Sequence, residues 1–190
     1  EQKAIENEAD FLAMCQSGTA FSAYYYIADV ISSPNAASRR FALEGYLAPD
    51  TYEIYVSATP EDILRKLLSQ TEAVFTEEYH ARAEALGMTM DQVITMASMI
   101  EKEAKNPDFA KVSAVFHNRL KKNMTLGSDV TVTYALDTVD PNREIYKDNQ
   151  SALKINSCYN TRVYGGLPCG PISNPGISAL LAVAAPSDTS

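Results

Sequence analysis

Apolar positions are most tightly ordered between Thr89 and Ala104, where Val93, Ile94, Met96, Ala97, Met99, Ile100 and Ala104 spread around one side of a helical wheel. Thr95, Ser98, Lys102 and Lys105 take the opposite side. Thr89 and Gln92 form an S/T-x-x-E/Q capping box, so the helix is predicted to start near Met90, and Asn106-Pro107 stops it. Glu101 and Glu103 fall on the two flanks of the apolar stripe. A carboxyl half desolvated in such a position holds its proton longer and can serve as a general acid. The plainer reading has both glutamates edging a solvated face.

Elsewhere the pattern is more broken. Residues 2–16 and about 20–31 read as two short helices parted by Gly18, with Tyr24-Tyr25-Tyr26 packing against neighbours. Pro49-Asp50 suits the centre of a type I turn. Tyr52, Ile54 and Val56 then alternate with Glu53 and Tyr55, which predicts a short strand. Thr59-Pro60-Glu61-Asp62 is a helix start, and Ile63, Leu67, Val74 and Ala81 carry one helix on to Leu86, closed by Gly87. Another helix is expected from Asp108 to Lys122, with Asn123 as a left-handed stop, and a last one from Asn174-Pro175 to Ala184. Residues 124–170 are rich in Thr, Asn, Asp, Tyr and Gly without sustained periodicity, the mark of a functional loop.

Composition narrows the function. The chain has 190 residues and a formal net charge of −8, with no Lys/Arg stripe to neutralise phosphates, so nucleic acid is not an expected partner. Its densest basic site, Arg119 to Lys122, ends a predicted helix and complements the dipole there. No apolar run approaches a membrane span. Because the chain opens at Glu1 without a signal peptide, it reads as an excised piece whose targeting segment is missing. Three cysteines without C-x-x-C spacing and two histidines make a metal site or a cysteine nucleophile unexpected, and no cofactor is expected. Cys158 and Cys169 flank a Gly-rich turn; their spacing leaves both a bridge in an oxidising compartment and a free pair open.

Five blocks occur in order: Leu43-Glu44-Gly45-Tyr46-Leu47-Ala48-Pro49-Asp50-Thr51-Tyr52; Ala97 to Ala104; Val115 to Leu120; Leu126 to Tyr134; and Tyr159-Asn160-Thr161 with Gly166 to Ile172. Together they resemble the membrane-bound endolytic murein transglycosylase family, also called YceG-like. Val130 stands where the family usually has Pro, and Cys169 where it often has Pro or Val. The resemblance implies an enzyme that cuts the β-1,4 link between N-acetylmuramic acid and N-acetylglucosamine inside a peptidoglycan strand, leaving a 1,6-anhydro ring. Such chemistry needs one glutamate, because the sugar's own C6 hydroxyl supplies the nucleophile.

Glu103-Ala104-Lys105-Asn106-Pro107 is similar to the Glu-Ser-x-x-Asn-Pro run of lysozyme-like transglycosylases, which favours Glu103 over Glu101 as the acid. Asn118, Ser128, Asp129, Thr131, Tyr134, Tyr159, Asn160 and Thr161 are the expected substrate-binding residues. Ser128 or Asp129 alternatively caps a short helix, and Arg119 alternatively pins the loop. The expected fold is α+β: a mainly helical catalytic domain over 43–190, truncated at its C-terminus, with a short β element near 43–56. Residues 1–42 would be the remnant of a LysM-like subdomain. A single membrane anchor, an extracytoplasmic site and penicillin-binding synthases as partners follow from the resemblance alone. Two rival readings are a non-catalytic glycan-binding module and a hydrolytic muramidase, the latter with Asp129 as second carboxylate.

Overall fold

The computed structural model describes residues 8–139 and 152–187. Among them the regular structure is helical: α1 (Glu8–Ser17), α2 (Tyr25–Ser32), α3 (Pro60–Glu72), α4 (Glu77–Ala85), α5 (Met90–Glu103), α6 (Phe109–Lys121), α7 (Asp129–Val139) and α8 (Ile177–Ala184), joined by short 3-10 turns. Residues 2–7 and 140–151 of the expected first helix and polar loop lie outside the described residues.

No strand forms among the described residues, so the expected α+β class is corrected to all-helical. The alternation at 52–56 was a true burial pattern for Tyr52 and Ile54, which are half-buried, but Tyr55 and Val56 are 85% and 76% exposed. A strand also needs a neighbour to pair with. Here the Glu53 carbonyl instead accepts from the Lys66 ammonium of α3.

Two further expectations change. The single helix over 60–86 is two helices, α3 and α4, because Thr76-Glu77-Glu78 is itself a start signal: the Thr76 hydroxyl accepts from Tyr79 N–H at 3.2 Å. Buried Phe75 fills the corner between them. In the polar stretch, α7 forms where β-branched Val130, Thr131, Val132 and Thr133 hid it from propensity.

The capping boxes at Thr59 and Thr89 both form, since each depends only on residues three apart. Helix α5 is the axis of the molecule, packed by α8, α6, α7, α2 and α4. Every residue from Val93 to Ile100 is buried, including Thr95 and Ser98, which the wheel had set opposite the core. The burial of Ser98 is made possible by partners distant in sequence. The Ser98 hydroxyl donates to Thr95 O at 2.7 Å and accepts from Ile172 N–H at 3.0 Å, while Ser98 O accepts from Ser173.

Residues from 15 to 46 enter the same core: Cys15, Phe21, Tyr26, Ile27, Leu43 and Tyr46 pack with α5 residues. Two contacts lock this side. Arg39, its side chain 3% exposed, makes a two-pronged ion pair with Asp91 in the first turn of α5, and Tyr46 donates to the same carboxylate at 2.6 Å. Gly45, at φ +92°, crosses so close to α5 and the 170s loop that an added Cβ would lie 2.5 Å from Pro171 and 2.7 Å from Ile94. Its N–H donates to Asn174 at 2.8 Å. These contacts fix the Leu43–Tyr46 block against the first half of the central helix.

Candidate active site

Helix α5 ends at Glu103, where Ala104 turns extended and Asn106-Pro107-Asp108 makes a 3-10 turn into α6. The two glutamates of this last turn have different surroundings. Glu101 accepts from Gly176 N–H at 3.1 Å. Gly176 is the N-cap of α8, so this carboxylate satisfies an otherwise open donor at a helix start. Glu103 lies on the opposite flank, at one end of a cleft of about 280 Å³ whose wall includes Val112, Val115 and Phe116 of α6 and Leu126 and Ser128 of the following loop. It is exposed, not covered by the apolar stripe, because the buried run of α5 stops a turn earlier at Ile100.

Ser128 reaches across to it. Its hydroxyl donates to the Glu103 carboxylate at 2.6 Å. The loop that carries Ser128 is fastened from two sides. Asn123, with φ +52°, lets the chain leave α6, and Arg119 Nη1 donates to Leu126 O at 2.6 Å. Arg119 thus pins the loop through a carbonyl rather than a carboxylate. On the other side, Gly127 N–H donates to Thr161 O at 2.9 Å and Ser128 N–H to the Thr161 hydroxyl at 3.1 Å.

Thr131, Asn160 and Thr161 are fully buried, and the hydroxyls of Thr131 and Thr161 are engaged in that fastening. The Thr131 and Thr161 hydroxyls lie 2.9 Å apart, and Asn160 donates to the carbonyls of Leu153 and Ile155. They therefore support Ser128 from beneath instead of facing the cleft. Cys158 and Cys169 are bridged, which closes the segment that holds Tyr159, Asn160 and Thr161. Asp129 is exposed and paired with Arg162, whose charge acts on Glu103 as well. Asn118 sits half-buried in α6, its carbonyl accepting from Lys122 N–H at 3.1 Å.

Tyr134 and Tyr159 pack ring to ring at 4.7 Å, and Tyr134 donates to Glu44. Burial pushes the Tyr159 hydroxyl up to about 12 and Tyr134 higher still, so both stay neutral. Burial also raises the Glu44 carboxyl, against the lowering effects of the Tyr134 hydrogen bond and of the Arg40 and Lys102 charges. Glu44 and Arg162 were absent from the expected site residues. A single carboxylate inside the apolar run Phe41 to Leu47 was the available sign for Glu44; Arg162, beside an expected ligand, carried none. Among the described residues no cluster of three or more His, Cys, Asp or Glu is placed to hold a metal ion, and no helix is long and apolar enough to cross a membrane.

The arrangement offers one carboxyl with a fixed hydroxyl donor, open to a cleft that no second carboxylate lines among the described residues, a setting for proton transfer. A family model described as the YceG-like family matches residues 2–190. The endolytic murein transglycosylase of Bacillus subtilis (strain 168) is 41% identical over 149 residues, 77% of this chain and 40% of that protein. Its namesake from Streptococcus pneumoniae serotype 2 (strain D39 / NCTC 7466) is 33% identical over 142 residues, 74% of this chain and 26% of that one. The crystal structure of a YceG-like protein from Listeria monocytogenes superposes with a TM-score of 0.77 at 32% identity, covering 96% of this chain and 60% of that one. The chain thus spans well under half the length of the curated relatives it matches.

Proposed function

Because this chain belongs to the YceG-like family, we propose that it carries the cutting site of an endolytic murein transglycosylase, with Glu103 as its acid and base. The observation that carries this reading is the Ser128–Glu103 pair at the end of a buried helix, open to a cleft. A glycan laid in the cleft would strip water from the carboxyl, the condition under which a carboxylic acid keeps its proton. Glu103 then gives that proton to the glycosidic oxygen as the bond from muramic acid C1 breaks. The Ser128 hydroxyl holds the resulting carboxylate. The muramic acid C6 hydroxyl attacks C1, its proton passes to Glu103, and the 1,6-anhydro ring closes with the acid restored. An internal nucleophile replaces the second carboxylate of ordinary glycosidases.

Two observations favour this over the runner-up and the rivals. Glu101 already serves the start of α8, and Asp129, the only motif candidate for a second carboxylate, is committed to Arg162. The Cys158–Cys169 bridge supports an oxidising, extracytoplasmic location, in keeping with a substrate found only outside the cytoplasmic membrane. A membrane anchor and work beside penicillin-binding synthases rest on the family resemblance. The deciding experiment digests purified peptidoglycan and reads the new chain ends by mass spectrometry. Anhydro ends are expected; reducing ends would mean a muramidase, and uncut strands with retained binding a glycan-binding module. Recovery of the full-length protein from the soluble cytoplasm would defeat the assigned location.

A further inference from the structure

A second pocket of about 280 Å³ opens at the far end of α7, lined by Ser38, Arg39, Arg40, Thr138, Ser157 and Tyr159 beside the disulfide. Its lining contains no carboxylate among the described residues, although acids outnumber bases 24 to 16 in the chain. The two cations differ. Arg39 is neutralised by Asp91, whereas Arg40 is exposed, lies over the Phe41 ring at 5.2 Å and has no ion pair among the described residues. Ser157 Oγ accepts from Tyr159 N–H at 3.3 Å, which leaves its proton to donate outward. An exposed guanidinium beside the Ser157 hydroxyl, with no carboxylate lining the pocket among the described residues, is a receptor for an anion.

We propose that this pocket takes a carboxylate of the peptide stem on the glycan strand, with Arg40 as its principal contact. The inference rests on the proposed peptidoglycan substrate. Thr138 lies ten residues beyond Ser128, roughly 15 Å along α7. An extended stem of five residues spans at most roughly 17 Å, so a stem on a muramyl residue near Glu103 reaches the pocket. Peptide stems carry free carboxylates, and Arg is the side chain suited to gripping them two-pronged. The pocket would therefore select strands that still bear peptides over stripped ones.

Two measurements test this. Titration calorimetry with an isolated stem peptide needs no turnover. The free-acid peptide is expected to bind, with affinity falling about tenfold or more in Arg40→Ala and in the peptide whose carboxylates are amidated. Equal binding of acid and amidated peptides, or binding no tighter than inorganic phosphate, overturns the assignment. The second measurement compares kcat/KM on peptide-bearing strands and on the same strands after enzymatic removal of the stems. The preference for peptide-bearing strands is expected to collapse towards one in Arg40→Ala; no preference in the unaltered protein overturns the proposal. If neither strand is cut while the acid peptide binds, the proposed catalysis fails and the pocket stands.

Discussion

The Ser128 hydroxyl donates to the Glu103 carboxylate at 2.6 Å, joining residues 25 positions apart across the mouth of the cleft. One belongs to the end of the buried axial helix and the other to a loop fastened by Arg119 and Thr161. That pair separates the two glutamates of α5 by what each one touches.

Glu103→Gln keeps the shape of the side chain but cannot donate and recover a proton. Cleavage of peptidoglycan is expected to fall at least about 100-fold, with the melting temperature and glycan binding nearly unchanged. Glu101→Gln should behave in the opposite way. Weakening the cap on α8 costs about 0.5–2 kcal/mol of stability while the folded protein still cuts. Chain-end assays beside thermal melts check both, and an active Glu103→Gln with an inactive Glu101→Gln would transfer the role.

Ser128→Ala removes the donor to Glu103 without touching the loop's backbone bonds. A hydrogen bond to a charged group is worth about 1.5–3 kcal/mol, so kcat should drop roughly 10- to 100-fold with KM little changed. Ser128→Thr should restore most of it. Unaltered kcat in Ser128→Ala would remove the pair from the chemistry.

Gly45→Ala places a methyl 2.5 Å from Pro171 at a positive φ. It is expected to destabilise by about 3 kcal/mol or more, read as a lower denaturant midpoint. Gly165 is the control: a Cβ there meets nothing within 4 Å, so Gly165→Ala should stay within about 0.5 kcal/mol.

Glu44 makes stability depend on pH. Its carboxyl is raised above the ordinary value by burial, so between that value and the raised one the folded state binds more protons than the unfolded state. Stability contributed by the protonated form is therefore complete below about 4.3, the ordinary glutamate value, and is lost as pH rises through the raised one. The Tyr134 hydroxyl opposes this rise, so Tyr134→Phe should extend the loss to higher pH, and Glu44→Gln should flatten it. Thermal melts across mildly acidic pH in the three proteins give the comparison.

How far the sequence reached follows from the range of the interactions. Helix α5 and its start were legible because Thr89 and Gln92 are three residues apart and the apolar stripe is continuous. The two candidate glutamates were legible for the same reason. A preference for Glu103 came only from the family resemblance; the partners that distinguish the two were not legible, because Gly176 and Ser128 arrive from 75 and 25 residues away. Thr95 and Ser98 were misplaced on the wheel since a buried hydroxyl depends on a distant partner, here Ile172 N–H for Ser98. The strand near Tyr52 failed for want of a second strand; Thr131 and Thr161 became supports because their hydroxyls meet each other, and Asn160 because its amide is taken by the Leu153 and Ile155 carbonyls.

The complete burial of α5 from Val93 to Ile100 gives the cleft a still base. Backbone amides in such a segment exchange with solvent only when the whole molecule opens, whereas loop amides exchange through local fluctuations. Glu103 leaves that segment within one turn of its end, and Ser128 meets it from a loop tied to Arg119 and Thr161. The carboxyl proposed as proton donor and the hydroxyl that faces it then keep a constant distance and direction, set by two anchored parts of the chain.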